Sequence, residues 1–215
     1  MKPIIIGIVG GSGSGKTTLA QGLALLTGQF GCRVISQDHY YLEVPRGIPA
    51  EAYNFDEPAA LDLDLLAQHI DAVKRGQEIH VPCYDFLTHC RKVQTEPLTP
   101  MPVLIVEGLF LYCNAALRES LDLRFFVEVP VAERLRRRIA RDTVERGRSV
   151  EDIVRQFEYQ VEPMYQRHIL PTRQYADVVI NLPYPDDRLY CEEVVGMWGR
   201  IEHLLRARGV SINSG

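Results

Sequence analysis

Four groups of residues in this chain have the types and spacing of phosphate chemistry. Gly10-Gly11-Ser12-Gly13-Ser14-Gly15-Lys16-Thr17-Thr18 fits G-x-x-x-x-G-K-[ST], a phosphate-binding loop. Its glycines let the backbone take positive φ and bring N–H groups close to an anion. Lys16 adds a point charge for the β- and γ-phosphates of a nucleoside triphosphate, and Thr17 offers a hydroxyl to Mg²⁺. Asp38 stands just past an apolar run, in Ser36-Gln37-Asp38-His39-Tyr40-Tyr41. Glu107 closes another, Val103-Leu104-Ile105-Val106-Glu107-Gly108. An acid delivered by a core strand beside a phosphate loop suits the metal side of such a site; a strand ended by a surface Glu is the alternative. Finally, Arg134, Arg136, Arg137, Arg138, Arg141, Arg146 and Arg148 fall within fifteen residues. Guanidinium forks bind phosphate bidentately and offset charge on a transferring phosphoryl group.

The elements that must position these groups are legible from periodicity. Ile4 to Val9 reads as a buried strand leading into the loop. Leu19, Leu23 and Leu26 follow at i, i+4 and i+7, a helix stopped by Gly28, whose N-terminus would face the phosphate. Cys32–Ser36 reads as a second strand with Asp38 beyond its carboxyl end, where ligands gather in open α/β sheets. Residues 42–60 carry Pro45, Gly47, Pro49 and Pro58 and read mostly as loop, with Asn54-Phe55-Asp56 inside it. A helix is expected over about Leu61 to Arg75, with Leu65, Leu66, Ile70 and Val73 on one face. Within 77–100, Glu78 to Val81 and Val93 to Glu96 suggest two antiparallel strands, an excursion covering a ligand. Strands at 103–108, 123–129 and 177–180 and a last helix over about Cys191 to Ala207 complete an alternating pattern, which implies a parallel sheet covered on both faces.

Helical spacing divides the arginine segment. Val131, Leu135 and Ile139 form an apolar stripe, and Arg134, Arg138 and Arg141 lie on another face. Gly147 interrupts, and a second helix starts near Ser149. A helix–loop–helix lined with arginine suits a phosphoryl-transfer lid. The interspersed Glu133, Asp142 and Glu145 suit a solvated face for some of these arginines.

The chain has 215 residues, 46% hydrophobic and 24% charged, as expected of one soluble globular domain spanning 1–215. A net charge of −4 argues against a general binder of nucleic acid or membrane surfaces. Five cysteines without a C-x-x-C pair suit reduced thiols in a cytoplasmic protein. Cys83, His89 and Cys90 raise a metal site but lack a fourth ligand.

Taken together, these blocks resemble the uridine kinases, also called uridine–cytidine kinases, over roughly residues 4–181. The resemblance rests on the loop at 10–18, Ser-Gln-Asp-His-Tyr-Tyr (36–41), Asn-Phe-Asp (54–56) with Pro58, and Pro82, Tyr84-Asp85-Phe86, His89 and Arg91. Val-Leu-Ile-Val-Glu-Gly (103–108), Arg-Arg-Ile-Ala-Arg-Asp (137–142), Glu-Arg-Gly-Arg (145–148), Gln156, Pro163-Met164 and Tyr-Ala-Asp-Val-Val-Ile (175–180) complete it. It implies a P-loop NTPase-type three-layer α/β/α fold with a mainly parallel sheet and an Arg-rich helical lid. It further implies transfer of the γ-phosphate of ATP, or GTP, to the 5′-hydroxyl of uridine or cytidine, with Mg²⁺, in a homotetramer. By resemblance Asp38 accepts the hydroxyl proton, Asp56 binds ribose hydroxyls beside Phe55, and Tyr84 and His89 contact the base. Arg137 falls in the lid region, with Arg138 on its substrate side; Arg141 and Arg146 serve the phosphates, and Arg148 and Gln156 the nucleoside. A turn-forming role is the competing account of Asp56. The chain departs from the family pattern at 181–187, Asn-Leu-Pro-Tyr-Pro-Asp-Asp.

Two other classes compete. A phosphoribulokinase-like enzyme acting on a sugar phosphate needs cations near Asp38, yet residues 39–60 offer only Arg46 against Glu43, Glu51, Asp56 and Glu57. A switch GTPase or a non-catalytic nucleotide-binding regulator is the other. No D-x-x-G or N-K-x-D occurs, and Lys16, Thr17, Asp38 and Glu107 are all present.

Overall fold

The computed structural model describes residues 2–28, 31–49, 53–86, 88–182 and 187–209. Five parallel strands form the central sheet in the order β2-β5-β1-β6-β7: β1 (Ile4–Gly10), β2 (Cys32–Ser36), β5 (Val103–Gly108), β6 (Leu123–Glu128) and β7 (Val178–Asn181). The apolar runs end within a residue or so of where periodicity puts them, and β2 and β5 match at both ends. Side-chain alternation then sorts the core. Ile4, Ile6 and Ile8 pack with Leu19 and Leu23 of helix α1 (Lys16–Thr27) and with Met197 and Ile201 of helix α7 (Asp187–Ala207). Ile5 and Val9 face the other way, toward Leu66, Ile70 and Val73 of α2 (Leu63–Lys74). A two-residue repeat with both faces apolar is what a sheet buried between helix layers requires.

Two helical faces differ from the sequence expectation. Leu26 of α1 is exposed, so the core stripe of that helix is Leu19 and Leu23. In α4 (Val131–Arg146) the stripe is inverted. Arg134, Arg138 and Asp142 are the buried residues, whereas Val131 is exposed and Leu135 and Ile139 are half-buried. Gly147, at φ 62, ends α4, and α5 (Val150–Gln156) starts from a Ser149 cap whose hydroxyl accepts from the Asp152 N–H. The chain continues through a π turn (Phe157–Val161), a single α turn α6 (Glu162–Met164) and a second π turn (Tyr165–Ile169). Pro163 and Pro171 follow these wide turns closely. Each lacks the N–H that an α-helix would need there.

The excursion at 77–100 forms a separate antiparallel hairpin, β3 (Ile79–Asp85) with β4 (Cys90–Leu98), longer than periodicity indicates. Ile79, Val81, Tyr84 and Leu98 pack it into the core, and a charged contact adds to its docking. The Arg91 guanidinium donates to the carbonyls of Tyr40 and Tyr41 at 2.9 and 2.8 Å and pairs with Asp62 at 3.2 Å. Asp62 also caps α2 through the Leu65 N–H. Asp62→Ala removes cap and ion pair together and is expected to lower unfolding stability by about 1–2 kcal/mol, read from urea denaturation. Asp62→Asn, which keeps a cap acceptor, should recover most of that loss.

Candidate active site

Parallel strands all point their carboxyl ends to one edge, and that edge gathers the chemistry. Ser36 stands opposite Glu107 in the β2–β5 register, and Glu107 opposite Ile8 of β1. The Ser36 hydroxyl donates to Glu107 Oε1 at 2.7 Å and accepts from the Asp38 N–H at 3.3 Å. It thereby fixes the turn that carries Asp38. Gln37 is fully buried and accepts from the Phe110 N–H at 3.0 Å, which locks the same turn from below. Glu107 is buried, and its Oε2 has no hydrogen-bond partner among the described residues. Burial raises its pKa, the Lys16 charge pulls it back, and Asp38 pushes it up again; the Ser36 and Thr17 hydroxyls favour the ionised form. The net shift is upward. An orphaned carboxylate oxygen beside a threonine hydroxyl is a hard-oxygen donor set that suits Mg²⁺.

The loop itself is held by close packing. Gly13 (φ 77) and Gly15 (φ 86) both take left-handed backbone. A Cβ at Gly13 would stand 2.3 Å from the Arg134 carbonyl, so α4 lies directly on the loop. Arg134 is therefore not a lid arginine. Its guanidinium is buried, pairs with Glu162 at 2.6 Å, donates to the Val129 carbonyl and lies 4.0 Å from the Tyr165 ring centroid. Arg137 donates to the Ser14 and Leu182 carbonyls.

Beside the loop lies a cavity of about 1090 Å³. Its walls differ in character. One is aromatic: Tyr41, Phe55, Tyr84, Phe86 and His89, with the His89 ring stacked on Phe55 at 4.8 Å and 26°. His89 adopts φ 54, a backbone that histidine takes more readily than most residues. The Tyr84 hydroxyl is buried without a partner among the described residues, and burial raises its pKa to about 12. The rest of the lining includes Ser12, Lys16, Arg138, Arg141, Arg146 and Arg148. Asp38 and Asp56 also line the cavity. In Asn54-Phe55-Asp56 the turn is made by Asn54, which accepts from the Asp56 N–H at 3.1 Å and donates to Glu57. The Asp56 carboxyl is not needed for that turn. Its pKa is raised, by burial first and by Asp38, against the pull of Arg138, Lys16 and Arg146.

The cavity wall thus brings together Ser12, Lys16, Asp38, Phe55, Asp56, Tyr84, His89, Arg138, Arg141, Arg146, Arg148 and Gln156 of the residues singled out in the sequence. Gly10, Gly11, Gly13, Ser14, Gly15, Thr17 and Glu107 belong to the neighbouring loop and strand ends rather than to the wall. Thr18 is exposed and not among the lining residues, and its carbonyl accepts from the Tyr190 hydroxyl at 2.7 Å. Cys83, His89 and Cys90 form no metal cluster, and none of three or more candidate ligands occurs among the described residues. No helix among the described residues is long and apolar enough to cross a membrane. Of the divergent segment 181–187, residues 183–186 lie outside the described residues. Sequence reasoning gave Asp142 no role of its own, naming it only in the 137–142 block and among the acids interspersed with the arginines; it is fully buried among them. Its spacing from Arg134 and Arg138, at i+8 and i+4, was the available signal.

A parallel sheet, a phosphate loop on its carboxyl edge and an arginine-lined helix pair over a two-walled cavity define a P-loop kinase fold. The sequence model of the Phosphoribulokinase / Uridine kinase family matches residues 5–186, and the chain belongs to that family. It is 43% identical over 180 residues to a uridine kinase of Chloroflexus aurantiacus, covering 82% of this chain and 86% of that protein. Identity to a uridine kinase of Deinococcus deserti is 41% over 183 residues, covering 84% and 88%. Among solved structures, phosphoribulokinase from Rhodobacter spheroides superposes with a TM-score of 0.63 at 17% identity, covering 84% of this chain and 70% of that one. A possible uridine kinase from Bacillus stearothermophilus gives 0.53 at 23%, covering 83% and 89%. At these identities the solved structures speak for the fold alone.

Gly13 and Gly15 separate two reasons for glycine. Gly15→Ala meets nothing closer than 3.6 Å and should cost only the left-handed backbone, about 1–2 kcal/mol. Gly13→Ala adds the collision with the Arg134 carbonyl and should cost about 1–3 kcal/mol more in urea denaturation. Equal losses would mean that α4 does not press on the loop.

Proposed function

We propose that this chain is a nucleoside kinase that transfers the γ-phosphate of ATP, or GTP, to the 5′-hydroxyl of uridine or cytidine, giving UMP or CMP in pyrimidine salvage. One observation carries the reading: a single cavity joins the end of a phosphate loop, two carboxylates and an aromatic wall. Triphosphate, sugar and base each meet the chemistry that recognises them.

In this reading the loop N–H groups and Lys16 hold the β- and γ-phosphates, and Arg141 and Arg146 offset charge on the group in transfer. Asp38 accepts the proton of the attacking 5′-hydroxyl, which leaves as the new O–P bond forms and the bond to the β-phosphate oxygen breaks. Asp56 accepts hydrogen bonds from ribose hydroxyls, for which a carboxylate suits because those hydroxyls donate. Phe55, Tyr84 and His89 enclose the base, while Arg138, Arg148 and Gln156 close the nucleoside side. Thr17 and Glu107 would hold Mg²⁺, which supplies charge neutralisation at the phosphates when bound. The unpartnered Glu107 Oε2 supports that assignment.

Against the sugar-phosphate alternative, residues 39–60 beside Asp38 offer only Arg46 against Glu43, Glu51, Asp56 and Glu57. The family resemblance also leads us to propose a cytoplasmic homotetramer, which light scattering on the purified protein tests. The direct test of function is phosphorylation of a panel of nucleosides and sugar phosphates with ATP and Mg²⁺. Uridine and cytidine are expected to be the acceptors; turnover of a sugar phosphate alone overturns the reading.

Two substitutions probe the roles. Asp38→Asn should cut kcat by roughly 10²–10⁴ with nucleotide binding retained; near-normal turnover removes Asp38 from the chemistry. A neutral imidazole has one donor and one acceptor nitrogen, so His89 can answer either the O4 acceptor of uracil or the N4 donor of cytosine. Loss of a hydrogen bond to a buried base edge costs about 1–3 kcal/mol, or roughly 5- to 150-fold. His89→Ala should raise KM for both pyrimidine nucleosides by a factor in that range while KM for ATP stays within about twofold. Unchanged nucleoside KM values would return His89 to an ordinary loop residue.

A further inference from the structure

Asp142 is the fully buried carboxylate at the centre of the arginine segment, and its two oxygens serve different partners. Oδ1 accepts from Arg141 Nε at 2.8 Å and stands 3.7 Å from Arg146 Nε. Oδ2 stands 3.4 Å from Arg138 Nε and 3.9 Å from Arg148 Nη1. The division follows from local structure. Arg138 and Arg146 flank Asp142 at i−4 and i+4 on α4, so both fall on its face. Gly147, in left-handed backbone, then turns the chain so that the Arg148 N–H donates to the Asp142 carbonyl at 3.2 Å, which brings the Arg148 side chain back over the same carboxylate.

Beyond Asp142 the two pairs differ. Arg138 and Arg148 both donate to Gln156 Oε1, at 2.9 and 2.6 Å, and Arg138 also reaches the Ser12 hydroxyl. All four line the cavity, but Arg141 and Arg146 are the more exposed and have no contact with Gln156 among those described. Oδ2 accepts no hydrogen bond: Arg138 Nε is close enough but poorly aligned and Arg148 stands farther off, whereas Arg141 is already bonded to Oδ1. One buried charge is therefore shared, unequally, between a pair tied to Gln156 and a pair open to phosphate.

We propose that Asp142 is a positioning residue that couples nucleoside binding to nucleotide binding, through Arg138 and Arg148 on one oxygen and Arg141 and Arg146 on the other. The inference rests on the nucleoside-kinase reading of the cavity. A nucleoside seated against Gln156 moves Arg138 and Arg148 relative to Oδ2. The carboxylate shifts with them and presents Arg141 and Arg146 in the arrangement that the triphosphate requires. Coupling is reciprocal, so the nucleotide in turn favours the nucleoside.

The test is calorimetric titration of uridine into the full-length protein, alone and saturated with the non-hydrolysable analogue AMP-PNP and Mg²⁺. The ratio of the two Kd values is the coupling factor. The wild type is expected to bind uridine at least about fivefold more tightly with the analogue present, within the usual range for coupled sites. Asp142→Asn, equal in size but uncharged, should bring that factor to within about twofold of unity, whatever the change in each binary affinity. A merely structural role would weaken both binary affinities and leave their ratio unmoved. If Asp142→Asn does not fold by circular dichroism, Asp142→Glu carries the test. It keeps the charge but moves it by a methylene, and should reduce the factor at least about threefold. An unchanged factor in the folded variant overturns the inference, and so does a wild type that binds the two ligands independently. Failure of the wild type to bind either ligand overturns the kinase reading itself, and the inference with it.

Discussion

Cations assembled for an anion must be held together before the anion arrives. Two guanidinium charges about 6 Å apart repel by about 3 kcal/mol at an effective dielectric of about 20, and four of them here converge on one wall. Asp142 answers that repulsion from inside the protein. Burial alone would raise its pKa, but the Arg141 hydrogen bond and the charges of Arg141, Arg146 and Arg138 outweigh it, and the carboxyl stays below its usual range. Burial likewise lowers the pKa of Arg138, against the pull of Asp56 and Asp142. Each charge is tolerable only because the other is there. The arginine part of the cavity lining depends on that pairing.

The same constraint explains where the sequence was readable and where it misled. β1 and β5 are nearly continuous apolar runs, and hydrophobic burial on both faces leaves such segments little choice of structure. The phosphate loop was legible because strand, glycines, Lys16 and helix are contiguous. For α4 the apolar stripe pointed to the wrong face. Periodicity equates apolar with inward, but the inward face of α4 meets the loop and the cavity, where Arg134 pairs with Glu162, Arg138 donates to Ser12 and Gln156, and Asp142 stands beside Arg138 and Arg141. Polar residues at helical spacing are as good a sign of burial as apolar ones when opposite charges stand four apart, as Arg138 and Asp142 do.

Other parts of the site were hidden for a different reason. Asn54 and Asp56 are near neighbours of similar chemistry, and only the hydrogen bonds separate the turn former from the cavity carboxylate. His89 could be named from its block, but not its left-handed backbone or its stacking on Phe55, 34 residues away in the chain. Gln37 and Ser36 look like filler in Ser-Gln-Asp, yet they set the position of Asp38 through contacts with Phe110 and Glu107 on β5 and the turn beyond it. These are long-range contacts, and no local pattern encodes them.

Arg91 links the two halves of the cavity in one step. Its guanidinium spends three donors on the Tyr40 and Tyr41 carbonyls and on Asp62, so the hairpin bearing Tyr84 and His89 is anchored to the segment that also carries Asp38. Because two acceptors are backbone carbonyls, the registration does not depend on which side chains stand at 40 and 41. Lysine, with a single nitrogen, could not span the three. The aromatic wall and Asp38 therefore hold a fixed relation, while the arginine wall is organised separately around Asp142. A cavity with one rigidly registered side and one side bound by shared charge can grip a flat base on the first and adjust to a polyphosphate on the second.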